Sequence, residues 1–215
     1  MGTISLNKLG GYCLILGPVI AVIFFLLYPG GAIIDAADPA NPQASIGAVL
    51  ANAGLAKASG MLVTLGILML LIGIIAKSAD MQGKGNGETL ARIAVPLAII
   101  SGGGIVLNNG LGLVIAGNAG PAAGAIYAAS IGIGLIMGTV FALGITALAL
   151  AISTAEGENK IFALIVAAAG VVSVVVQVIA GSDSSQLQIA SQINGVVYLI
   201  TTIWTVTLGL KMIKE

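Results

Sequence analysis

Residues 96–146 carry no Asp, Glu, Lys or Arg, and the run is broken only by the turn signal Gly117-Asn118-Ala119-Gly120-Pro121. Each half is long enough to cross a hydrocarbon core of about 30 Å, which takes about 20 apolar residues at about 1.5 Å rise. The stretch therefore reads as a helical hairpin inside a membrane. Its first helix repeats small residues every fourth position at Gly104, Asn108, Gly112 and Ala116. Its second does the same at Ser130, Gly134, Gly138, Ala142 and Thr146. In lipid, helices associate through van der Waals contact rather than a hydrophobic gain, and rows of small residues let their backbones approach.

The rest of the chain agrees with a membrane as solvent. Only 7% of residues are charged and 58% are hydrophobic, whereas soluble domains carry about 25% charged residues. Further apolar runs lie at residues 9–28, 58–76, 161–180 and 189–210. Together with a third span starting after Arg92 and a fourth over 122–152, they make six. The fold expected is all-α: a single domain over residues 1–215, a bundle of six transmembrane helices.

Lys8 before the first run resembles the start of a signal peptide. The run exceeds the roughly 7 to 15 residues of a signal core and no clean A-x-A site follows Tyr28, so a retained anchor is expected. Leu6 stands where a myristoylation signal needs Ser or Thr. In the longest loop, Asn41 and Pro42 have the form of an N-cap and first helical position. A short interfacial helix over 43–54 is expected there, as a connector rather than a lid. Gly83-Lys84-Gly85-Asn86-Gly87 is not a phosphate-binding loop: Ser78 replaces the leading glycine and Gly85 the Ser or Thr after the lysine.

Eight basic and eight acidic residues cancel, and no loop holds a basic cluster able to follow a phosphate backbone, so nucleic acid is not an expected partner. Orientation follows from where the basic residues fall. With the N-terminus inside, Lys8, Lys77, Lys84, Arg92, Lys160, Lys211 and Lys214 face the cytoplasm and Lys57 alone faces out, a strong positive-inside bias. Both termini are expected in the cytoplasm, with the chain in a prokaryotic inner membrane. The two halves share no residue pattern that would mark an inverted repeat.

The composition also limits the chemistry. There is no His, which removes the commonest general base, proton shuttle and metal ligand. Cys13 is the only cysteine and forms no disulfide within the chain. No charged residue falls in the middle of a span, against the usual pattern of proton pumps, voltage sensors and retinal proteins. No enzymatic activity and no cofactor or metal site are expected.

The intramembrane polar groups are Asn108 and Asn109 of the third span, Gln177 of the fifth, and Asn194, Tyr198, Thr201 and Thr205 on one face of the sixth. Around Asn108, the glycines at 102–104 and 110 leave two forms open, a straight helix and a locally broken one that exposes backbone to a solute. Two function classes follow. The favoured one is a non-catalytic structural or accessory subunit, whose partners are the lipid bilayer and other membrane subunits. The alternative is a carrier or channel for a neutral or small solute, in which Asn108, Asn109, Gln177, Asn194, Thr201 and Thr205 converge on one cavity.

The first third of the chain, through the loop Asp38-Pro39-Ala40-Asn41-Pro42, the alanine-rich segment to Gly54-Leu55 and the span after it, resembles a set of bacterial multi-pass membrane proteins. That set is defined by a domain of unknown function and often has arginine where this chain has Lys57. The resemblance implies the same topology and no particular activity.

Overall fold

The computed structural model describes residues 5–83 and 87–214. Among these there are seven α-helices and no strand: α1 (Leu6–Leu26), α2 (Pro42–Ala51), α3 (Ala53–Asp80), α4 (Glu88–Ala116), α5 (Ala123–Ser153), α6 (Lys160–Ser182) and α7 (Leu187–Lys214). All except α2 belong to segments long and apolar enough to cross a membrane, and the chain is a multi-pass membrane protein. Their outer faces carry large apolar side chains such as Leu107, Ile136 and Ile161. Every terminal helical amide and carbonyl in lipid needs a partner within the protein, which is why the spans run past the apolar sequence into polar turns.

The caps follow local sequence. Ser5 accepts a hydrogen bond from the Lys8 amide at 3.3 Å, Asn41 from the Ala44 amide at 3.2 Å, and Asn159 from the Phe162 amide at 3.1 Å. Pro42 occupies the first helical position of α2 as expected. Asn52 then ends α2, and α3 begins at Ala53, earlier than the apolar pattern suggests, so Lys57 lies inside a helix. Between α4 and α5 the backbone reverses through Asn118 at φ 71° and Gly120 at φ 56°. Both are residue types that tolerate the left-handed region.

The six long helices close into a ring in chain order, α1 beside α3, then α4, α5, α6, α7 and back to α1. Neighbours run antiparallel, so the two termini, the α3–α4 turn and the α5–α6 turn share one end, called here the terminal end. The α1–α3 loop with α2, the α4–α5 turn and the α6–α7 turn share the other, the loop end. α1 approaches both of its neighbours through glycines. A methyl placed on Gly17 would lie 2.7 Å from the Gly66 carbonyl oxygen, and one on Gly66 would lie 2.5 Å from that of Gly17. Gly11 and Gly209 make the same mutual contact between α1 and α7. In the α4–α5 hairpin the small rows are filled differently, by side chains, with Met137 against Gly104 and Gln177 of α6 against Gly138.

Two apolar clusters lie along the bundle axis. The larger, at the terminal end, draws on all six long helices, including Leu14, Ile74, Ala94, Leu148, Val166 and Trp204. The smaller, at the loop end, packs Val49 of α2 on Ile115 and Ala116 of α4, with Tyr28 and Tyr127 alongside. Thus α2 covers the loop end of the α4–α5 hairpin. Between the two clusters the ring is not filled.

Candidate functional site

The unfilled region is a cavity of about 230 Å³. Its walls come from α1, α3, α4, α5 and α7 and are mostly apolar, with Pro18, Val22, Val63, Ile67 and Ile105 among them. The polar groups are Asn108 and Asn109 on α4, and Tyr198, Thr201 and Thr202 on α7. These two helices occupy opposite positions in the ring. The cavity therefore has two facing polar sides separated by apolar walls.

α4 is continuous through its glycines and Pro96, so of the two forms left open by the sequence the unbroken helix is the one observed. Continuity fixes Asn108 and Asn109 about 100° apart around the axis. Asn109 donates to the Thr64 hydroxyl on α3 at 3.0 Å. Asn108 lies over Gly134 of α5, and its Oδ1 is buried with no hydrogen-bond partner among the described residues. A buried carbonyl left unpaired costs about 1–3 kcal/mol. Across the cavity, the Tyr198 ring meets Phe25 at 6.0 Å and 86° and Phe141 at 6.3 Å and 72°, both edge to face.

The remaining predicted residues behave differently. Asn194 accepts a bond from the buried Ser173 hydroxyl at 2.5 Å and ties α7 to α6. Thr205 is fully buried and donates to the Thr202 carbonyl of its own helix at 2.9 Å. These two are packing groups. Gln177 of α6 is 5% exposed, its amide fills the space left by the missing side chain of Gly138, and its Nε2 has no partner among the described residues. It stands behind a cavity-lining glycine rather than in the wall itself. The structure thus brings together Asn108, Asn109 and Thr201, puts Gln177 next to them, and leaves Asn194 and Thr205 outside.

A second polar constellation was not foreseen. At the terminal end, Lys77 of α3 is buried and pairs with Glu158 of the α5–α6 turn at 2.8 Å and with Asp80 at 3.1 Å. Lys211 of α7 reaches Glu158 at 3.2 Å and the Gly157 carbonyl at 2.9 Å. Burial would raise the Glu158 carboxyl above its ordinary value, but the hydrogen bonds and charges of Lys77 and Lys211 outweigh it and hold the group lowered. The cluster joins α3, the α5–α6 turn and α7. Only its Lys77–Asp80 pair, three apart on a helix, left a trace in the sequence; Glu158 reaches Lys77 across 81 positions of chain. Lys84, Gly85 and Asn86, which carried the comparison with a phosphate-binding loop, lie outside the described residues.

Chemically the cavity offers amides, hydroxyls and aromatic rings, with no charged side chain in its wall. Among the described residues no three His, Cys, Asp or Glu side chains come together. No family model, no curated protein and no solved structure matches the chain.

Proposed function

We propose that this protein is a membrane carrier that holds a small uncharged solute in the central cavity and passes it between the two faces of the membrane without altering its bonds. The observation that carries this reading is the buried Asn108 amide oxygen, without a partner among the described residues, on the wall of a cavity left between two well-packed clusters. A protein that serves only as a scaffold gains nothing by leaving about 230 Å³ unfilled by its own side chains beside a buried polar atom. The placement proposed is a prokaryotic inner membrane with both termini cytoplasmic. Its support is the charge bias, since Lys8, Lys77, Arg92, Lys160, Lys211 and Lys214 fall at the terminal end and Lys57 at the loop end.

One observation favours the accessory-subunit reading. Gly124, Ala128 and Gly132 form an exposed row on α5, and nothing lies within 4 Å of a methyl placed on either glycine. The small rows singled out in the sequence are otherwise used inside the ring.

A thiol-accessibility scan separates the two. In a Cys13→Ser background, single cysteines at Asn108, Thr201, Asn194 and Thr205 are treated with a membrane-impermeant reagent in right-side-out and inside-out vesicles. A carrier labels at 108 and 201 from both faces and stays unlabelled at 194 and 205. Absence of labelling at all four positions makes the amides packing groups, and the docking reading then replaces the carrier.

A further inference from the structure

Resting on the carrier reading, the geometry points to the chemical class of the solute: a small uncharged aromatic molecule with one N–H or O–H group directed at the Asn108 carboxamide. Size is the first constraint. A dry cavity of about 150 Å³ takes benzene, so about 230 Å³ corresponds on that scale to about nine or ten non-hydrogen atoms.

Charge is the second. No cavity residue carries a charge to set against that of an ion, and a bare charge among mostly apolar walls carries a large desolvation penalty. A sugar is excluded on similar grounds. Each of its hydroxyls would need a partner, and most of the wall is apolar, so several of them would be buried unpaired. Of the cavity's own polar atoms, the Asn108 amide oxygen is the buried one without a protein partner among the described residues. One polar group on the solute answers it.

Aromaticity is the third. Aromatic residues make up 4% of the chain, yet Phe25, Phe141 and Tyr198 meet at the cavity from three different helices. The Tyr198 ring takes both phenylalanines edge to face, an arrangement that a flat ring in the cavity extends. Pro18, Val22 and Ile105 supply only shape.

The test is calorimetric titration of the purified full-length protein with indole, with indene, which has the same outline and no N–H, and with cyclohexanol, which has a donor and no ring π-system. Indole is expected to bind about tenfold more tightly than indene, the scale of one net hydrogen bond, and that advantage is expected to vanish in Asn108→Ala. Where Asn108→Ala fails to fold, Asn108→Leu, close in volume, carries the same comparison. Gly134→Val fills the cavity from the α5 side and is expected to abolish binding of all three. Unchanged heats in that variant mean partition into detergent and overturn the proposal. Equal binding of indole and indene, or an indole preference that survives loss of Asn108, overturns the donor assignment while leaving a solute cavity. Cyclohexanol binding as tightly as indole overturns the aromatic assignment. If none of the three binds, the solute class is wrong, and labelling at 108 and 201 decides whether the carrier reading falls with it.

Discussion

Glycines with the same helix propensity have opposite roles in this chain, and their surroundings decide which. Gly66 touches the α1 backbone: a methyl there meets the Gly17 carbonyl at 2.5 Å and the Ala21 amide at 2.7 Å, and neither can rotate away. Gly132 faces outward with nothing near. Gly66→Ala is therefore expected to destabilise the bundle by about 1–3 kcal/mol, as overpacking does. Gly132→Ala is expected to be neutral or to stabilise by up to about 1 kcal/mol through helix propensity. Unfolding of the two variants in mixed detergent micelles would show the contrast, and equal midpoints would rule out the α1–α3 backbone contact. The sequence drew attention to rows spaced by four in α4 and α5. The direct backbone-to-backbone contact belongs instead to Gly17 on α1 and Gly66 on α3, each with another glycine seven residues away, at Gly10 and Gly73. A seven-residue spacing returns to the same helix face after two turns, so the signal was present at a longer period.

At the scale of elements, α2 is the piece whose existence was legible and whose role was not. Asn41 and Pro42 announce a helix start by local chemistry alone. That the helix covers the α4–α5 hairpin depends on Tyr127, whose hydroxyl lies 3.0 Å from both the Pro39 carbonyl and the Ser45 hydroxyl. The Ser45 hydroxyl in turn donates to the Asp38 carbonyl at 3.3 Å, and Asn52 donates to Asp35 at 2.5 Å. Tyr127→Phe removes the link between this cap and α5. Amide exchange over residues 39–51 is expected to speed up by about two- to tenfold, the equivalent of one net hydrogen bond. Exchange in the middle of α3 and α5 should not change. Faster exchange throughout would mean that α2 is part of the main cooperative unit rather than a cap on it.

For the molecule as a whole, the two ends of the ring are closed by different physics. Among the described residues, the loop end uses hydrogen bonds without an ion pair between its helices and a small apolar cluster; the terminal end uses paired charges over a large one. The paired charges make the terminal end sensitive to pH. Because the folded-state carboxyl of Glu158 is held below its ordinary value of 4.5, its contribution is complete above that value. It is lost as pH falls through the lower, folded-state value. Stability is thus expected to be level above the ordinary carboxylate range and to decline on the acid side, with Glu158→Gln removing part of that decline. At neutral pH the same variant leaves Lys77 with Asp80 and Lys211 with the Gly157 carbonyl. Its cost is expected at about 2–3 kcal/mol, below the 3–5 kcal/mol typical when a buried pair loses its only partner. An unfolding midpoint that is indifferent to pH and to Glu158→Gln would refute this.

The sequence by itself determined the solvent, the number of spans, the interfacial helix and the hairpin, because each depends on runs of apolar residues or on capping chemistry within a few positions. It also marked the polar groups, and three of the six named, Asn108, Asn109 and Thr201, do meet in one cavity. What it could not separate was Asn108 from Asn194. Both are amides in apolar helices, and the difference is that Ser173 of a neighbouring helix reaches Asn194 while no side chain among the described residues reaches Asn108 Oδ1. Nor could it bring Glu158 to Lys77 and Lys211, or Phe25 and Phe141 to Tyr198. Those meetings follow from closing six helices into a ring, and only the tertiary structure specifies which faces the ring turns inward.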